Sequence, residues 1–417
     1  MTQHRILASA FTCSPPGSPG FTGGEDILGW NLLIQIAKTH EVWALTQEED
    51  RASIEDEIAA RPISGLHFHY VSFPRWLKPL LKIQGGHQIY YYFWQMNAYL
   101  AARQLHKELG FDLFHHITYA NDWMASFIGA MLPIPYVRGP GGGAHRTPKD
   151  IEQEYTLSGR IWEKCRRLGQ WLFRHDPFFI KGQNRAVAIM VCNWDSMRHL
   201  PEKWSQKAHL FPVSGVSTED LSLTFPRKKE QGKFKVLAAG SLIRVKGFGL
   251  AIKAFKLFAV KYPDSELTIV GAGPEESRLR TMIRDSGLED KIDLPGAIPR
   301  DALLSKMASS DVLLFPSLRD GGGTVVIEAM SAAKPVVCLD IGGPGLHINE
   351  ECGIKLVPTS PSETVRNLAD ALERLYLSED LRIKLGQAAR ERVEREYHWD
   401  KLGDRLMTLY QPILHAE

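Results

Sequence analysis

Short apolar runs alternate with longer stretches of helical spacing along nearly the whole chain. The runs have the length of buried strands, and the stretches between them have the spacing of helices, as in Ile27, Trp30, Ile34 and Ala37. Strand and helix in alternation predict parallel sheets that are covered by helices on both faces. The predicted strands are RILASA, EVWALT, LHFHYVSF, DLFHH, IPYVRG and AVAIMVC in the first half, and KVLAAG, ELTIVG, DVLLFP, PVVCLD and GIKLVP in the second.

The alternation pauses at residues 218–232, where TEDLSLTFPRKKEQG is polar, charged and without periodicity. A chain of 417 residues is also too long for one ordinary core. We therefore predict an α/β protein with two doubly wound, Rossmann-like domains, residues 1–217 and 218–396, facing a cleft. The last helix, at about 397–417, should pack back on the first domain. Ligands of such domains bind at the carboxyl ends of the strands.

Charge and cysteine usage exclude several classes of protein. The formal net charge of +2 gives no bulk electrostatic case for nucleic acid. Five dispersed cysteines without a CxxC pair indicate reduced thiols rather than disulfides or a zinc site. The amino terminus is unlike a signal peptide, and no window approaches the roughly 18 apolar residues of a bilayer span. We expect a cytoplasmic protein that binds no nucleic acid and has no cofactor.

The most informative segment is LFPSLRDGGGTVVIEAM, in which a strand ends, a glycine loop follows and a helix begins at about Thr324. Glycines before a helix let the backbone approach a ligand and direct N–H groups at it. Asp320 in the loop and Glu328 about one turn into the helix can face the same pocket. Carboxylates suit sugar and ribose hydroxyls, and the helix N-terminus suits a diphosphate. The alternative is a plain glycine turn with a solvated Asp and an ordinary helical Glu.

A second strand-to-helix loop is GSLIRVKG at residues 240–247, which carries Arg244 and Lys246. Cations placed there would neutralise the charge that grows on a departing diphosphate. Taken alone, the two residues are more typical of exposed basic side chains at a helix start. IVGAGPEES begins like a dinucleotide fingerprint, but Glu276 stands where the third glycine belongs. That segment therefore predicts a tight turn, and a nicotinamide dehydrogenase is disfavoured.

In order and spacing, the second half resembles the retaining glycosyltransferases of family 4, which have the two-domain GT-B fold. The similarity covers nearly all of residues 234–400. The matching segments are GSLIRVKGFGLAI, LTIVGAGPEESRL, LPGAIP, ASSDVLLFPSLRDGGGTVVIEAMSAAKPVVCLDIGGPG and YHWDKL.

The resemblance implies a role for each site residue. Glu328 would hold the donor ribose, Asp320 hydroxyls of the donor sugar, and Lys246 the diphosphate. The backbone at Ile298 would contact the base, and His116 would lie beside the donor sugar. Within the glycine loop, the amides of Gly322 and Gly323 would face the sugar and those of Thr324 and Val325 the phosphates, with Gly321 completing the loop.

Two residues depart from the family's pattern. Asp320 stands where the family usually has Glu, and Ser241 stands where it usually has Arg. We expect Arg244 to replace the missing Arg at the donor phosphates, with Ser241 as a lesser contact.

The first half contains three further candidate segments. Gly23 and Gly24 lie between a Pro/Gly-rich loop and a predicted helix, where family members bring a glycine loop to the donor. The family also has an important His at the end of the strand FDLFHH. We favour His116 over His115, because neighbouring strand residues face opposite sides.

The third segment, YVRGPGGGAHRTP at residues 136–148, is similar to a GP-x-GGG segment of one branch of the family. It predicts an acceptor-side surface with Arg138, Gly141, Gly142 and His145. The alternative is a flexible loop.

Two stretches mix basic and aromatic residues, FPRWLKPLLKI at 73–83 and RIWEKCRRLGQWLFRHDPFFIK at 160–181. This pattern is typical of an interfacial helix on anionic lipid. It is equally typical of a helix that packs on its domain and leaves a basic face in water. The first alternative would add a peripheral membrane contact and a lipid-linked acceptor.

The resemblance implies a retaining transfer of sugar from a nucleotide-diphosphate sugar to a hydroxyl of a glycan, lipid-linked sugar or small molecule. No metal-ligand spacing is found in the sequence, so we expect metal independence. No residue stands out as a nucleophile, which favours front-face attack. The alternatives are a sugar phosphorylase, a GT-B nucleotide-sugar epimerase and a catalytically inactive partner subunit.

Overall fold

The computed structural model describes residues 3–19, 21, 23–72, 79, 86–143, 145–153, 155, 157–222 and 232–415. Within these ranges the chain forms 13 β-strands and 18 α-helices. It divides into two compact units. The first comprises Met1–Ala144, Trp162–Ser214 and Trp399–Glu417, and the second comprises His145–Ile161 and Gly215–His398.

The units and the predicted domains assign three segments differently, 145–161, 215–217 and 397–398, and the first is the longest. The prediction placed residues 145–161 in the first domain, but they group with the second unit. The reason is that Ile151 and Tyr155 pack into the second unit's apolar core. The helix Trp399–Leu414 groups with the first unit, as its buried side chains pack into that unit's core.

The first unit is built on a seven-stranded parallel sheet with the order β3-β2-β1-β4-β5-β6-β7. Its strands are β1 Arg5–Ser9, β2 Glu41–Gln47, β3 Leu66–Val71, β4 Leu113–His116, β5 Tyr136–Gly141, β6 Ala188–Val191 and β7 Ala208–Leu210. In register, Ile6 of β1 lies opposite Val42 on one side and Leu113 on the other. The prediction missed β7, a three-residue edge strand that is only partly buried.

Helices cover both faces of this sheet. The helices up to residue 205 are α1 Gly24–Ala37, α2 Arg51–Ala60, α3 Gly86–Leu109, α4 Phe127–Met131, α5 Lys149–Glu152, α6 Leu157–Arg174, α7 Pro177–Arg185, α8 Trp194–Arg198 and α9 Glu202–Ser205. Of these, α5 belongs to the second unit. One core lies under α1 and the last helix, and another lies under α3 and α7. α1 confirms the helical spacing of Ile27, Trp30, Ile34 and Ala37, which all pack against one core, Trp30 buried and the other three partly buried. Leu28, Leu32 and Ile36 are buried more deeply than Ile27 or Ile34, because α1 is covered on its outer side by the last helix.

The second unit has a six-stranded parallel sheet with the order β10-β9-β8-β11-β12-β13. Its strands are β8 Phe234–Ala239, β9 Ser265–Val270, β10 Ile292–Gly296, β11 Val312–Phe315, β12 Val336–Leu339 and β13 Gly353–Leu356. The remaining helices are α10 Thr218–Ser222, α11 Phe248–Lys261, α12 Glu276–Asp285, α13 Arg300–Ser309, α14 Thr324–Ser331, α15 Gly342–His347, α16 Pro361–Leu377, α17 Glu379–Glu396 and α18 Trp399–Leu414. Of the predicted linker, 218–222 form α10, and 223–231 lie outside the described residues.

Both sheets share one topological feature that determines where a site can form. The strand order reverses between β1 and β4 in the first sheet and between β8 and β11 in the second. At such a switch point the loops leave in opposite directions and open a crevice at the carboxyl ends of the strands. No helix in the described part of the chain combines the length and hydropathy that a bilayer span requires.

Candidate functional site

The second switch point brings together the two loops that the sequence singled out. The loop after β8 carries residues 240–247, and the loop after β11 carries residues 316–323. Leu318 donates its amide to the Val245 carbonyl at 2.8 Å, which ties the loops together. Gly247 has a φ of 71°, and a Cβ there would clash with the Pro316 carbonyl. Glycine is therefore required for this close approach.

Asp320 organises the glycine loop. Its Oδ1 accepts hydrogen bonds from the amides of Gly322 at 3.2 Å and Gly323 at 2.9 Å. Its Oδ2 pairs with Lys246 Nζ from the neighbouring loop. Both amides are therefore occupied by the Asp320 side chain, and a donor sugar would have to compete with this carboxylate for them.

The loop passes directly into α14. Gly323 begins the helix with a φ of 66°, and Thr324, Val325 and Gly321 are partly exposed around its N-terminus. The amide dipoles of the eight-residue helix place partial positive charge at this end. The arrangement is therefore suited to an anion, and binding of the donor phosphates by the amides of Thr324 and Val325 stays a prediction.

The short helix α15 supports the loop from behind. His347 Nε2 hydrogen-bonds to the Gly322 carbonyl, and the Gly343 amide donates to the Asp320 carbonyl at 2.9 Å. Gly342 has a φ of 59°, and a Cβ there would clash with the same carbonyl. Burial lowers the pKa of His347 to about 4, so the ring is neutral near pH 7. None of these residues was predicted from the sequence, although IGGPG lies inside a family segment.

Glu328 lies about one turn into α14 and is held by an ion-pair network. Its Oε1 is 3.2 Å from Arg300 Nε, and Arg300 Nη2 is 2.8 Å from Asp220 Oδ1. Burial raises the pKa of Glu328, and Arg300 opposes that rise. Ile298, two residues before Arg300, is partly buried against the same core as Val325. The sequence signal for Arg300 was its place directly after LPGAIP.

Arg244 and Ser241 complete the second site. Ser241 is exposed just beyond β8. The Arg244 guanidinium is 3.7 Å from Glu275 and lies 5.2 Å above the Tyr155 ring. Glu275 also pairs with Arg278 at 2.6 Å. Arg244 can therefore bind a donor phosphate, in place of the missing Arg, only if its guanidinium leaves Glu275.

At the first switch point, hydrogen bonds again tie the neighbouring loops together, but different groups form them. Thr12 of the loop after β1 donates its amide to Thr118 Oγ1 at 3.3 Å, and Tyr119 donates to Glu25 Oε2 at 3.2 Å. Gly23, with a φ of 121°, precedes α1, and Gly24 is the helix's exposed first residue. The predicted glycine loop therefore lies at a helix N-terminus beside the switch point.

His115 and His116 face opposite sides of β4, as strand alternation predicts, but both are buried. His115 hydrogen-bonds to the Gly139 carbonyl and to the Tyr410 hydroxyl, each at 2.6 Å. His116 Nε2 is 2.6 Å from the Tyr91 hydroxyl of α3. Burial lowers the pKa of His115 to about 4 and that of His116 to about 3. His116 is 1% exposed. In this structure its ring therefore lies in a core beneath Tyr91, rather than at a surface where a sugar could contact it.

The predicted acceptor-side residues do not form one cluster within a single unit. Arg138 is buried, with its guanidinium 5.6 Å from the centre of the Phe179 ring. A Cβ on Gly141 would clash with the Ala120 carbonyl, and one on Gly142 would contact Cys192 Sγ. Both glycines are therefore required by packing. His145 is buried in the second unit, whereas the other three belong to the first.

The second unit is similar in sequence to a known protein family. Residues 222–392 match the family model described as glycosyl transferases group 1. An uncharacterized glycosyltransferase of Methanocaldococcus jannaschii is 24% identical, over 75% of this chain and 80% of its own. A GDP-mannose-dependent monoacylated alpha-(1-6)-phosphatidylinositol monomannoside mannosyltransferase of Corynebacterium glutamicum is 27% identical, over 52% of this chain and 56% of its own. The chain thus spans little more than half of the second relative.

Two solved structures show the same fold over the whole chain. Sucrose-phosphate synthase of Thermosynechococcus elongatus has a TM-score of 0.66 at 18% identity, covering 100% of both chains. HepE of Anabaena, in complex with UDP-glucose, has a TM-score of 0.60 at 14% identity and covers 98% of this chain and 100% of its own. Residues 222–392 therefore match the glycosyl transferases group 1, and the whole chain has the GT-B fold of these solved structures, with two Rossmann-like domains.

Proposed function

We propose that the protein transfers a sugar from a nucleoside-diphosphate sugar to an acceptor hydroxyl, with the donor at the second switch point. The observation that carries this proposal is the meeting of Asp320, Lys246 and Glu328 around the N-terminus of α14. An anionic diphosphate fits the lysine and the helix amides, and hydroxyl groups fit the carboxylates. The Anabaena protein of the same fold was solved in complex with UDP-glucose, which supports this class of donor.

The ion pairs indicate how the site would accept its donor. A diphosphate competes with Asp320 for Lys246 Nζ, and this releases Oδ2 of Asp320 for a sugar hydroxyl. Oδ1 continues to hold the Gly322 and Gly323 amides, so the loop keeps its shape during the exchange. Ribose hydroxyls would likewise bind Glu328 next to Arg300, and the base would lie along the backbone at Ile298.

The leaving diphosphate would be neutralised by protein groups without a metal. Lys246 and the N-terminus of α14 supply positive charge from two directions, and Arg244 adds a third if it leaves Glu275. We expect transfer in EDTA to equal transfer in Mg²⁺. A dependence on divalent metal that EDTA abolishes would contradict this part of the proposal.

Retention of the anomeric configuration would proceed by front-face attack. Asp320 is a poor candidate for a covalent nucleophile, because Oδ1 accepts two amides and Oδ2, once released by Lys246, would bind a sugar hydroxyl. We expect ¹H NMR of the first product formed to show the donor's anomeric configuration. An inverted product would contradict retention, and a trapped glycosyl-enzyme would contradict front-face attack.

We propose a lipid-linked glycan as the acceptor. The relative from Corynebacterium is named for a phosphatidylinositol monomannoside, a sugar acceptor on a lipid. The basic and aromatic stretch at residues 160–181 also fits contact with a membrane that carries such an acceptor. Of the other stretch, 73–83, only Pro79 lies within the described residues. Transfer to a lipid extract, but not to free sugars, would support this acceptor class. Equal transfer to free sugars would contradict it.

The first experiment is a thermal-shift panel of UDP-, GDP-, ADP- and TDP-sugars, with and without Mg²⁺. Ligand at a hundred times its Kd should stabilise the protein by about 2.7 kcal/mol, which moves the unfolding midpoint visibly. Glu328→Gln should lose the shift, whereas Glu391→Gln on the exposed side of α17 should keep it.

The outcome of that panel separates the proposed function from its alternatives. A shift with one base, followed by nucleotide release that needs an acceptor, supports glycosyl transfer. Conversion of the free donor sugar without an acceptor would identify an epimerase instead. No shift with any nucleotide would overturn donor binding and favour an inactive partner subunit.

A further inference from the structure

Helix α6 packs on the protein with its polar side inward. Glu163 is buried and pairs with Arg166 at 2.9 Å, and Gln170 donates to the Gly143 carbonyl at 3.0 Å. Its apolar side chains point outward instead. Leu168, Trp171 and Leu172 are 58, 56 and 57% exposed. A surface helix of a globular protein normally has the opposite orientation, with its apolar stripe facing the core.

Helix α3 carries a second outward apolar stripe. Ile89, Phe93, Met96 and Leu100 follow one another at helical spacing, and each is exposed by two-fifths or more. The opposite side of the same helix is buried in the core through residues such as Tyr91, Trp94 and Ala98. The outer stripe is therefore additional to the side chains that hold α3 in place.

The two helices meet in the first unit. The Tyr92 ring of α3 lies 5.8 Å from the Phe173 ring of α6, and the Tyr92 hydroxyl donates to Asp176 Oδ2 at 2.6 Å. We call α3 and the 162–174 part of α6 the two-helix surface. Scattered exposed apolar residues are ordinary, but two stripes on helices in contact mark an interaction site.

Basic residues accompany both stripes. Arg103 and Lys107 continue the line of Leu100 along α3 and are exposed, while Lys164 and Arg167 lie beside the stripe of α6. The acidic groups next to these stripes are fewer: Glu163 pairs with Arg166, Asp176 accepts from Tyr92, and Glu108, exposed at the end of α3, accepts from Gln104. The outer side of the two-helix surface is therefore apolar and positively charged.

This charge decides between two occupants. A second copy of the chain would bring the same cations face to face, and like charges across an interface oppose association. An anionic lipid surface would instead attract the cations and accept the apolar side chains at the headgroup boundary. We propose that the two-helix surface docks the protein on an anionic bilayer. The biological purpose of this docking rests on the proposed lipid-linked acceptor. The exposed apolar and basic side chains that would contact the bilayer do not depend on it.

The experiment is flotation of the full chain with vesicles of phosphatidylcholine alone or mixed with phosphatidylglycerol. We expect binding to the mixed vesicles, weakening as salt rises. The double variant Lys164→Glu/Arg103→Glu should bind at least about 25-fold more weakly, since each basic residue near the surface contributes about five-fold. Leu168→Asp/Phe93→Asp should also abolish flotation. Val260→Asp/Leu257→Asp on α11, which removes exposed apolar side chains elsewhere, should change nothing.

Circular dichroism and the thermal midpoint show that each variant is folded. Equal flotation of wild type and variants, or equal binding to neutral vesicles, would overturn the proposal. So would sedimentation of the wild type as a dimer that Leu168→Asp converts to monomers, because a second copy would then be the occupant. The nucleotide-sugar thermal shift is measured on the same samples. Lost flotation with an intact shift leaves the proposed transfer standing.

Discussion

The two switch points have the same strand order and similar ties between their loops, yet their chemistry differs. At the first, His115 and His116 are buried, neutral and hydrogen-bonded to tyrosines. At the second, Lys246 pairs with Asp320, and Arg300 with Glu328, in partly exposed positions. Topology therefore determines where a site can form, and the side chains determine what it can bind. The first switch point provides a fixed shape, and the second provides charges that a ligand can exchange.

The largest effect should follow from removing the cation at the second switch point. Lys246→Met should lower kcat about 100- to 1,000-fold, because a positioned group that stabilises developing charge contributes about that much. Lys256→Met, on the exposed side of α11, serves as the matched control. Steady-state transfer with the donor found in the thermal-shift panel measures both. Equal activity of the two variants would contradict the role of Lys246.

A smaller effect should follow from removing one hydroxyl at the first switch point. Tyr91→Phe leaves His116 Nε2 without its hydrogen bond, and a buried polar atom left without a partner costs about 1–3 kcal/mol. Thermal unfolding should show a lower midpoint. Tyr376→Phe is the control, since that hydroxyl makes no hydrogen bond within the described part of the chain. If the two variants have the same unfolding midpoint, the hydrogen bond between His116 and Tyr91 does not contribute to stability.

The same histidines should make the protein sensitive to acid. Their folded pKa values, about 4 for His115 and about 3 for His116, lie below the unfolded value of about 6.5. The unfolded state therefore binds more protons, so stability is complete above about pH 6.5 and falls as the pH drops towards 4. Each histidine contributes up to about 1.4 kcal/mol per pH unit. Thermal midpoints from pH 7 to pH 5 should fall less steeply in His116→Gln than in wild type. If the midpoints of wild type and His116→Gln fall in parallel with pH, the His116 ring is protonated as easily in the folded state as in the unfolded state.

The smallest effect concerns Arg300 at the second switch point. Burial raises the pKa of Glu328 and Arg300 opposes this, so Arg300→Met should raise that pKa further. Donor affinity, which needs the carboxylate, should then begin to fall at a higher pH on the acidic side. Because Arg300 is 54% exposed, the loss of stability should stay at about 1 kcal/mol or less. Calorimetric titration across pH measures the shift, with Arg280→Met on α12 as control. If the pH dependence of donor affinity is the same in Arg300→Met and wild type, Arg300 does not influence the pKa of Glu328.

The sequence predicted the fold well because alternation is a local signal. It missed β7, and it did not identify Ile292–Gly296 as a strand, since both are edge strands that are short or incompletely buried. It selected Lys246, Asp320 and Glu328 from their positions after strands. It could not show that Asp320 uses both oxygens within the protein, or that Tyr91 encloses His116. The contacts of Asp320 with Lys246 and of Tyr91 with His116 join elements distant in sequence, and only the packed chain determines them.

The return of the chain to the first unit has a consequence for how the protein can be divided. Val216 and His398 form a parallel bridge, with the Val216 amide 2.9 Å from the Tyr397 carbonyl. The ends of the main segment of the second unit are therefore neighbours, and that segment is an insertion into the first. Tyr410 and Leu406 then complete the first unit's core from the far end of the chain. A stop codon before residue 399 would thus damage the amino-terminal half while leaving the inserted domain whole.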